Sequence, residues 1–206
     1  MIKKGWLLLV MVGSLYGEIF YEERQGEKKQ IFSLKEENTP SGIRIVARSA
    51  EETHVFWLDK DYATHKWFFT NRSLQFVIER EGNILVRKER GVVITNYIID
   101  EAPWYQFVEV SFRPWILSEE KKKGPFWIIQ PGMMALHRMV AKKEGEETLE
   151  IDGKRISTIK IQMTLPGAMA AFWGAWYWFD KNGVFLRYKG VRIMGQPETI
   201  VEKISP

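Results

Sequence analysis

The chain contains no cysteine among its 206 residues. That excludes a disulfide framework, a thiolate metal site, a cysteine nucleophile and a lipid-modified cysteine, so packing alone has to hold the fold. Histidine is nearly as scarce, and His54, His65 and His137 lack the paired spacing of a zinc site. No run approaches the roughly 20 apolar residues that a membrane-spanning helix needs. An excess of one charge is missing as well, since 30 Lys and Arg face 26 Asp and Glu. Basic pairs such as Lys28-Lys29 and Lys142-Lys143 sit beside glutamates near turns and read as solvated rims. A nucleic-acid partner needs a clustered basic patch and is not expected. A phosphate loop, a dinucleotide fingerprint and a G-x-S-x-G nucleophile elbow are also absent.

What is present begins at the N-terminus. Lys3 and Lys4 precede a short apolar run at residues 5–12 (GWLLLVMV), then small and turn-prone residues to Gly17, then a charged stretch from Glu18. This is the layout of a secretory signal peptide, with cleavage expected after Gly17. Residues 18–206 would then form one soluble domain, periplasmic or secreted, with no membrane span. Without Lys3 and Lys4 the 30 basic residues fall to 28, close to the 26 acidic ones. A chain this long can bury roughly 70% of its unfolded surface, enough for a core without covalent staples.

Beyond residue 18 the dominant period is two, the signature of strands with alternating faces. A hairpin turning at Gln25-Gly26-Glu27 is followed by "GIRIVARS", "HVFWLD", "KWFFTN" and "SLQFVIEREGNILVRKE", with Gly82-Asn83 as a further turn. "GVVITNYII" at residues 91–99 is another strand. The pattern changes at Pro103. In "PWYQFVEVSFRPWIL" the apolar Trp104, Phe107, Val108, Phe112 and Trp115 recur at three- and four-residue spacing. That spacing predicts a helix with Pro103 in its first turn and Pro114 closing it. "PFWIIQPG" reads as a short buried segment. Residues 135–165 then read as a hairpin and a third strand, with turns at Glu144-Gly145 and Asp152-Gly153. "ETIVEKI" closes the sheet. The expected fold is mainly β: a single curved antiparallel sheet, a half-barrel or open barrel, with one or two helices on its concave side.

Candidate chemistry is thin. Asp59, Asp61 and His65 lie within seven residues of one another, but turns enrich Asp for local hydrogen bonding. Glu79 and Glu81 share a strand face near a turn and read as solvated ends rather than a glycosidase pair. No catalytic residue, metal or cofactor is expected. The heavy load is aromatic, with nine tryptophans in the chain. In "AAFWGAWYWFDKNGVFLRYKG", residues 170–190, one face of the strand carries Phe172, Gly174, Trp176 and Trp178 and the other Trp173, Ala175, Tyr177 and Phe179. Neither face is polar, so both need a cover.

The strand meander over residues 18–99, the "PWYQF" helix and the closing hairpin "YWFDKNGVFLRY" together resemble the half-barrel family of periplasmic lipoprotein-localisation factors and related exported β proteins. The receptor of that family carries an acylated cysteine, so the likeness is to its soluble carrier. The resemblance implies a curved sheet plugged by helices and a binding protein for acyl chains or another apolar ligand. On that reading Phe172, Trp176 and Trp178 face the concavity, because Gly174 lets a ligand or helix approach the backbone closely. Trp57, Trp67, Trp104, Trp115 and Trp127 are their expected companions, offering apolar contact and free indole N–H groups. Arg44 and Arg187 are candidates for an anionic headgroup. The alternative is a structural or interaction module of the envelope, with an envelope protein as partner and a fully packed aromatic interior.

Overall fold

The computed structural model describes residues 17–192 and 195–205. The expected signal peptide therefore lies, but for Gly17, outside the described residues. Among the described residues no helix is long and apolar enough to cross a membrane.

Eight strands form a first meander: β1 (Ile19–Gln25), β2 (Lys28–Thr39), β3 (Gly42–Ser49), β4 (Glu52–Leu58), β5 (Thr64–Asn71), β6 (Gln75–Glu81), β7 (Ile84–Glu89) and β8 (Val92–Ile98). The chain then passes through two one-turn helices, α1 (Val108–Ser111) and α2 (Arg113–Ile116). A second meander follows: β9 (Lys122–Gln130), β10 (Ala135–Ile151), β11 (Lys154–Thr164), β12 (Gly174–Asp180), β13 (Phe185–Gly190) and β14 (Thr199–Ile204). Its last strand pairs antiparallel with the first, with Tyr21 opposite Lys203 and Glu22 opposite Glu202. The result is one open 14-stranded antiparallel sheet in the order β8-β7-β6-β5-β4-β3-β2-β1-β14-β13-β12-β11-β10-β9, not closed into a barrel. A tight turn joins β10 to β11. Asp152 and Gly153 both take positive φ, at 49° and 71°, as the two-residue turn favoured by the twist of antiparallel strands requires.

The expected helix over residues 103–117 is corrected in place and length. Residues 103–105 are extended: Trp104 bridges Trp127 in parallel, and its carbonyl accepts from Thr64 N–H at 2.7 Å. Helical geometry begins only at Val108. Pro114 lacks an N–H for the i−4 carbonyl, so one turn stops at Phe112 and a second starts there with proline at its N-terminus. The turn expected at Glu144-Gly145 is also absent. β10 runs through it as a 17-residue strand, and Gly145 (φ 138°) forms an irregularity against β11. Glycine absorbs that local distortion without a reversal of the chain.

The concave face carries one continuous core. Leu34, Ile45, Phe56, Trp67, Ile78, Leu85, Ile161, Met163 and Phe179 project inward from the strands, and Trp104, Tyr105, Val108, Phe112 and Trp115 meet them from the crossing segment and helices. The aromatic strand β12 takes part with Ala175, Tyr177 and Phe179. Trp176 and Trp178 are on the other face, which corrects the expectation that they point into the concavity. Registration decides this: Ala175, Tyr177 and Phe179 lie opposite Met163, Ile161 and Ile159, whereas Trp176 and Trp178 lie opposite Gln162 and Lys160. A half-turn of the pleat moves every side chain to the opposite face.

Trp178 is buried nonetheless. The outer ends of β10 and β11 run past the end of β12 and fold over its convex side. There Leu149 and Ile151 pack on Trp178 and Leu186, with Ile156 and Trp176 at the margin. The arm is pinned at its tip, where Asp152 accepts from Ser205 N–H and Oγ–H at 2.7 and 2.8 Å. Both covers of the aromatic strand are thus the protein's own.

Candidate functional site

The concave side was the expected ligand site, and of the eight aromatics named for it Trp67, Trp104 and Trp115 lie buried in its core. Their indoles are largely engaged by the chain itself. Trp67 Nε1–H donates to His54 Nδ1 at 3.2 Å, and His54 Nε2 meets Glu52 at 3.1 Å. Trp104 Nε1–H donates to the Gln106 side-chain oxygen at 2.9 Å. Trp127, on the outermost strand, donates to Asp100 at 2.7 Å and carries the Arg138 guanidinium over its ring. Asp100 also accepts from Ala102 N–H, and the Trp127 and Ala102 bonds hold its carboxyl below the usual range. The expectation of free indole N–H groups is therefore corrected for these three. Trp115 Nε1 is buried without a partner among the described residues.

The remaining named aromatics are elsewhere. Trp57 is on the convex face of β4, between Arg44 and Lys66. Trp176 and Trp178 share that face further along the sheet, and Trp178 Nε1–H donates to Glu147. Phe172 follows a short 3-10 turn (Gly167–Ala171) before β12 begins and is 69% exposed. Arg44 pairs with Glu37 at 2.7 Å, and Arg187 with Glu202. The fold thus divides the eight aromatics between core, convex face, edge strand and rim, and the two arginines are matched by carboxylates.

Two polar features inside the concavity were not anticipated. Arg113 of α2 meets Glu36 of β2 through two hydrogen bonds, 2.8 and 2.7 Å, with both side chains almost wholly buried. It also reaches the β12–β13 turn, where a Cβ on Gly183 would come within 2.7 Å of Arg113 Cγ. The pair therefore locks the second helix to both meanders. Glu109 of α1 lies within electrostatic reach of Tyr21, Tyr177 and Tyr188. Burial pushes the Glu109 carboxyl up. Burial likewise raises all three phenols, Tyr188 to about 12, with Glu109 adding to the shift. At the lip, Arg192 and Glu23 form a two-bonded pair at 2.7 and 2.9 Å. The lone acid in "FVEVSF" was the available sequence signal for the Glu109 group; nothing local announces a Glu36–Arg113 pair 77 residues apart.

The Asp59 cluster is a turn. One carboxylate oxygen of Asp59 accepts from Asp61 and Ala63 N–H, both at 2.9 Å, and Tyr62 takes a positive φ of 64°. Glu79 bridges Lys66 and Lys88, and Glu81 meets Lys88 as well. The Lys66, Val77, Glu79, Lys88 and Arg90 side chains line a shallow outer cleft of about 200 Å³. That is below the usual range for small-molecule pockets. Among the described residues no group of three His, Asp or Glu is placed to hold a metal ion.

No protein-family model matches the chain, and no curated protein matches it. Among solved structures it is similar to a β-barrel-like protein of a domain of unknown function, DUF1849, from Brucella abortus. The two are 7% identical with a TM-score of 0.59, over 91% of this chain and 95% of that one. The hypothetical lipoprotein YmcC from Escherichia coli matches over 94% of this chain and 86% of its own, at 12% identity and a TM-score of 0.39. The first likeness is one of fold: a β-barrel-like architecture spanning nearly the whole of both chains.

Proposed function

We propose that the protein is an exported, non-catalytic module of the cell envelope that acts through its outer surface while its aromatic interior serves only to hold the sheet. One observation carries this reading: the concave side is filled by Trp67, Trp104, Phe112, Phe126 and Phe179, all essentially without solvent contact. Indole N–H groups that would orient a polar ligand are directed instead at His54 and Gln106. Export is supported by the signal-like N-terminus, and a non-catalytic role by the engagement of the candidate acid–base groups within the fold: His54 is held by Trp67 and Glu52, and Asp59 caps its own turn. The test is extraction of the purified protein with organic solvent, together with titration of a fluorescent fatty acid followed by tryptophan emission. No stoichiometric lipid and no saturable quenching are expected. Either one would overturn the packed-interior reading.

A second reading has its own observation. The turn at residues 131–133 and the seven residues 166–172 (PGAMAAF) are exposed and uncharged, with Met133, Met169 and Phe172 among the most exposed apolar side chains. An apolar ligand such as an acyl chain, as the likeness to the lipoprotein-localisation half-barrels suggests, would meet the protein at these loops. In that case Phe172→Ser should weaken probe binding without lowering stability, whereas Trp176→Ala on the convex face should leave binding unchanged.

A further inference from the structure

The two edges of the sheet are finished differently. On β9 the outward backbone groups are occupied: Trp127 N–H donates to Pro103 O at 2.8 Å, and its carbonyl accepts from Tyr105 N–H at 2.9 Å. The Gln106 side chain then accepts from Ile129 N–H at 2.9 Å and donates to Ile129 O at 2.8 Å. β9 also carries Lys122, Lys123 and Pro125, residue types that discourage a further strand. β8 has none of these protections. Its residues VVITNYI include no charge and no proline. Among the described residues their backbone is hydrogen-bonded only to β7. Val92, Val93, Ile94 and Ile98 are 63, 52, 51 and 81% exposed, in a chain of which 27% is charged. One extra residue opposite Arg87 and Lys88 interrupts the register and bends the strand there, leaving regular edge on either side of it at residues 92–93 and 95–98.

We propose that β8 is a self-pairing strand: a second copy of the chain adds its own β8 antiparallel to the first, giving a two-fold dimer with one sheet running through both subunits. A bare strand edge is matched only by another extended backbone, and an uncharged apolar edge only by a strand of like composition. β8 itself meets both conditions. The ends select the second copy and the antiparallel sense. Arg90 precedes the strand and Glu101 follows it; both are exposed, and neither has an ion pair among the described residues. Antiparallel pairing of two β8 strands sets the Arg90 end of each beside the Asp100-Glu101 end of the other. The contact is the same patch on both subunits, so it closes at two copies. The inference stands whether or not the interior ever holds a ligand.

Sedimentation velocity on the purified protein across a concentration series tests it, with the thermal melt of each variant as a fold control. The parent protein should associate reversibly to a dimer. Ile94→Lys and Ile98→Lys, at exposed positions, should each weaken the dimer about tenfold or more with the melting temperature of the monomer unchanged. Arg90→Glu should also weaken it, and Arg90→Glu combined with Glu101→Arg should recover it. Hydrogen exchange should slow at residues 92–98 as concentration rises. A parent protein that stays monomeric to its solubility limit overturns the proposal. So does a dimer indifferent to both lysine variants, or a monomer whose β8 becomes protected only by a different protein.

Discussion

Tyr21, Tyr177 and Tyr188 show what single residues contribute to this interior. Burial disfavours each phenolate, so the folded state holds its proton to higher pH than the unfolded chain, whose tyrosines ionise near 10. The contribution of these phenols is therefore fully present below pH 10 and is lost as pH rises above that value, with Tyr188 titrating at about 12 in the fold. Each tyrosine contributes up to about 1.4 kcal/mol per pH unit in that window. Urea midpoints should be flat near pH 8 to 9 and fall steeply above 10, and Tyr188→Phe should make the fall shallower. The Arg113–Glu36 pair acts with the opposite character, as a charge that must stay matched. Glu36→Gln leaves the guanidinium buried without its counter-charge and should lower unfolding free energy by about 3 to 5 kcal/mol, measured by urea denaturation. At this scale the sequence was partly legible. Asp59 and Gly183 announce their turns because local hydrogen bonds and positive φ depend on neighbours in the chain. Glu36 and Arg113 carry no such local sign, since only long-range packing brings them together.

Among the elements, the arm formed by the outer ends of β10 and β11 has a small core of its own, Leu149, Ile151, Trp178 and Leu186, separate from the concave cluster. A unit with few buried contacts and one pinned tip should open ahead of the sheet. Trp178→Ala should therefore remove about 3 to 5 kcal/mol locally and speed hydrogen exchange at residues 146–157, while amides of β2 to β5 keep their protection. Uniformly faster exchange throughout would instead make the arm part of a single cooperative core. The strands themselves were readable from period-two alternation, and β3 coincides with "GIRIVARS" residue for residue. The face of β12 was not, because both of its faces are apolar. Its neighbour held the answer: β11 alternates Ile159, Ile161 and Met163 with Thr158, Lys160 and Gln162. The apolar set opposes Tyr177 and Phe179, and only pairing reveals it. The helical part of residues 103–117 was expected, but its start and length were misjudged, because three- and four-residue spacing also arises where an extended segment and two short turns line the same core.

For the whole molecule, the open question is what keeps a 14-stranded sheet curled when its edge strands do not pair. The sheet order could not be read locally, since the β1–β14 seam joins residues about 180 positions apart and no turn announces it. The curl is held by the crossing segment at residues 103–106, seated between the start of β5 and the outer edge of β9. Thr64 N–H donates to Trp104 O at 2.7 Å, and Gln106 N–H donates to Thr64 Oγ1 at 3.0 Å. The Gln106 side chain then ties Ile129 N–H, Ile129 O and the Trp104 indole into one network. Gln106 thus links the crossing segment to β9 by hydrogen bonds and to the fully buried Trp104, beside the ring contact of Tyr105 with Phe126. Gln106→Ala removes partners from three buried groups, each worth about 1 to 3 kcal/mol when left unsatisfied, so a loss on the order of 3 kcal/mol is expected after partial rescue by water. The loss should come with a distinct signature: faster exchange at Trp127 and Ile129 and binding of a hydrophobic dye to the uncovered interior. Gln106→Glu keeps the acceptor for Ile129 N–H and Trp104 but loses the donor to Ile129 O and places a charge there. It should be at least as damaging at neutral pH and recover part of the loss at acid pH, where the carboxyl can donate. If both variants melt like the parent and bind no dye, strand twist alone holds the curl and the latch is incidental.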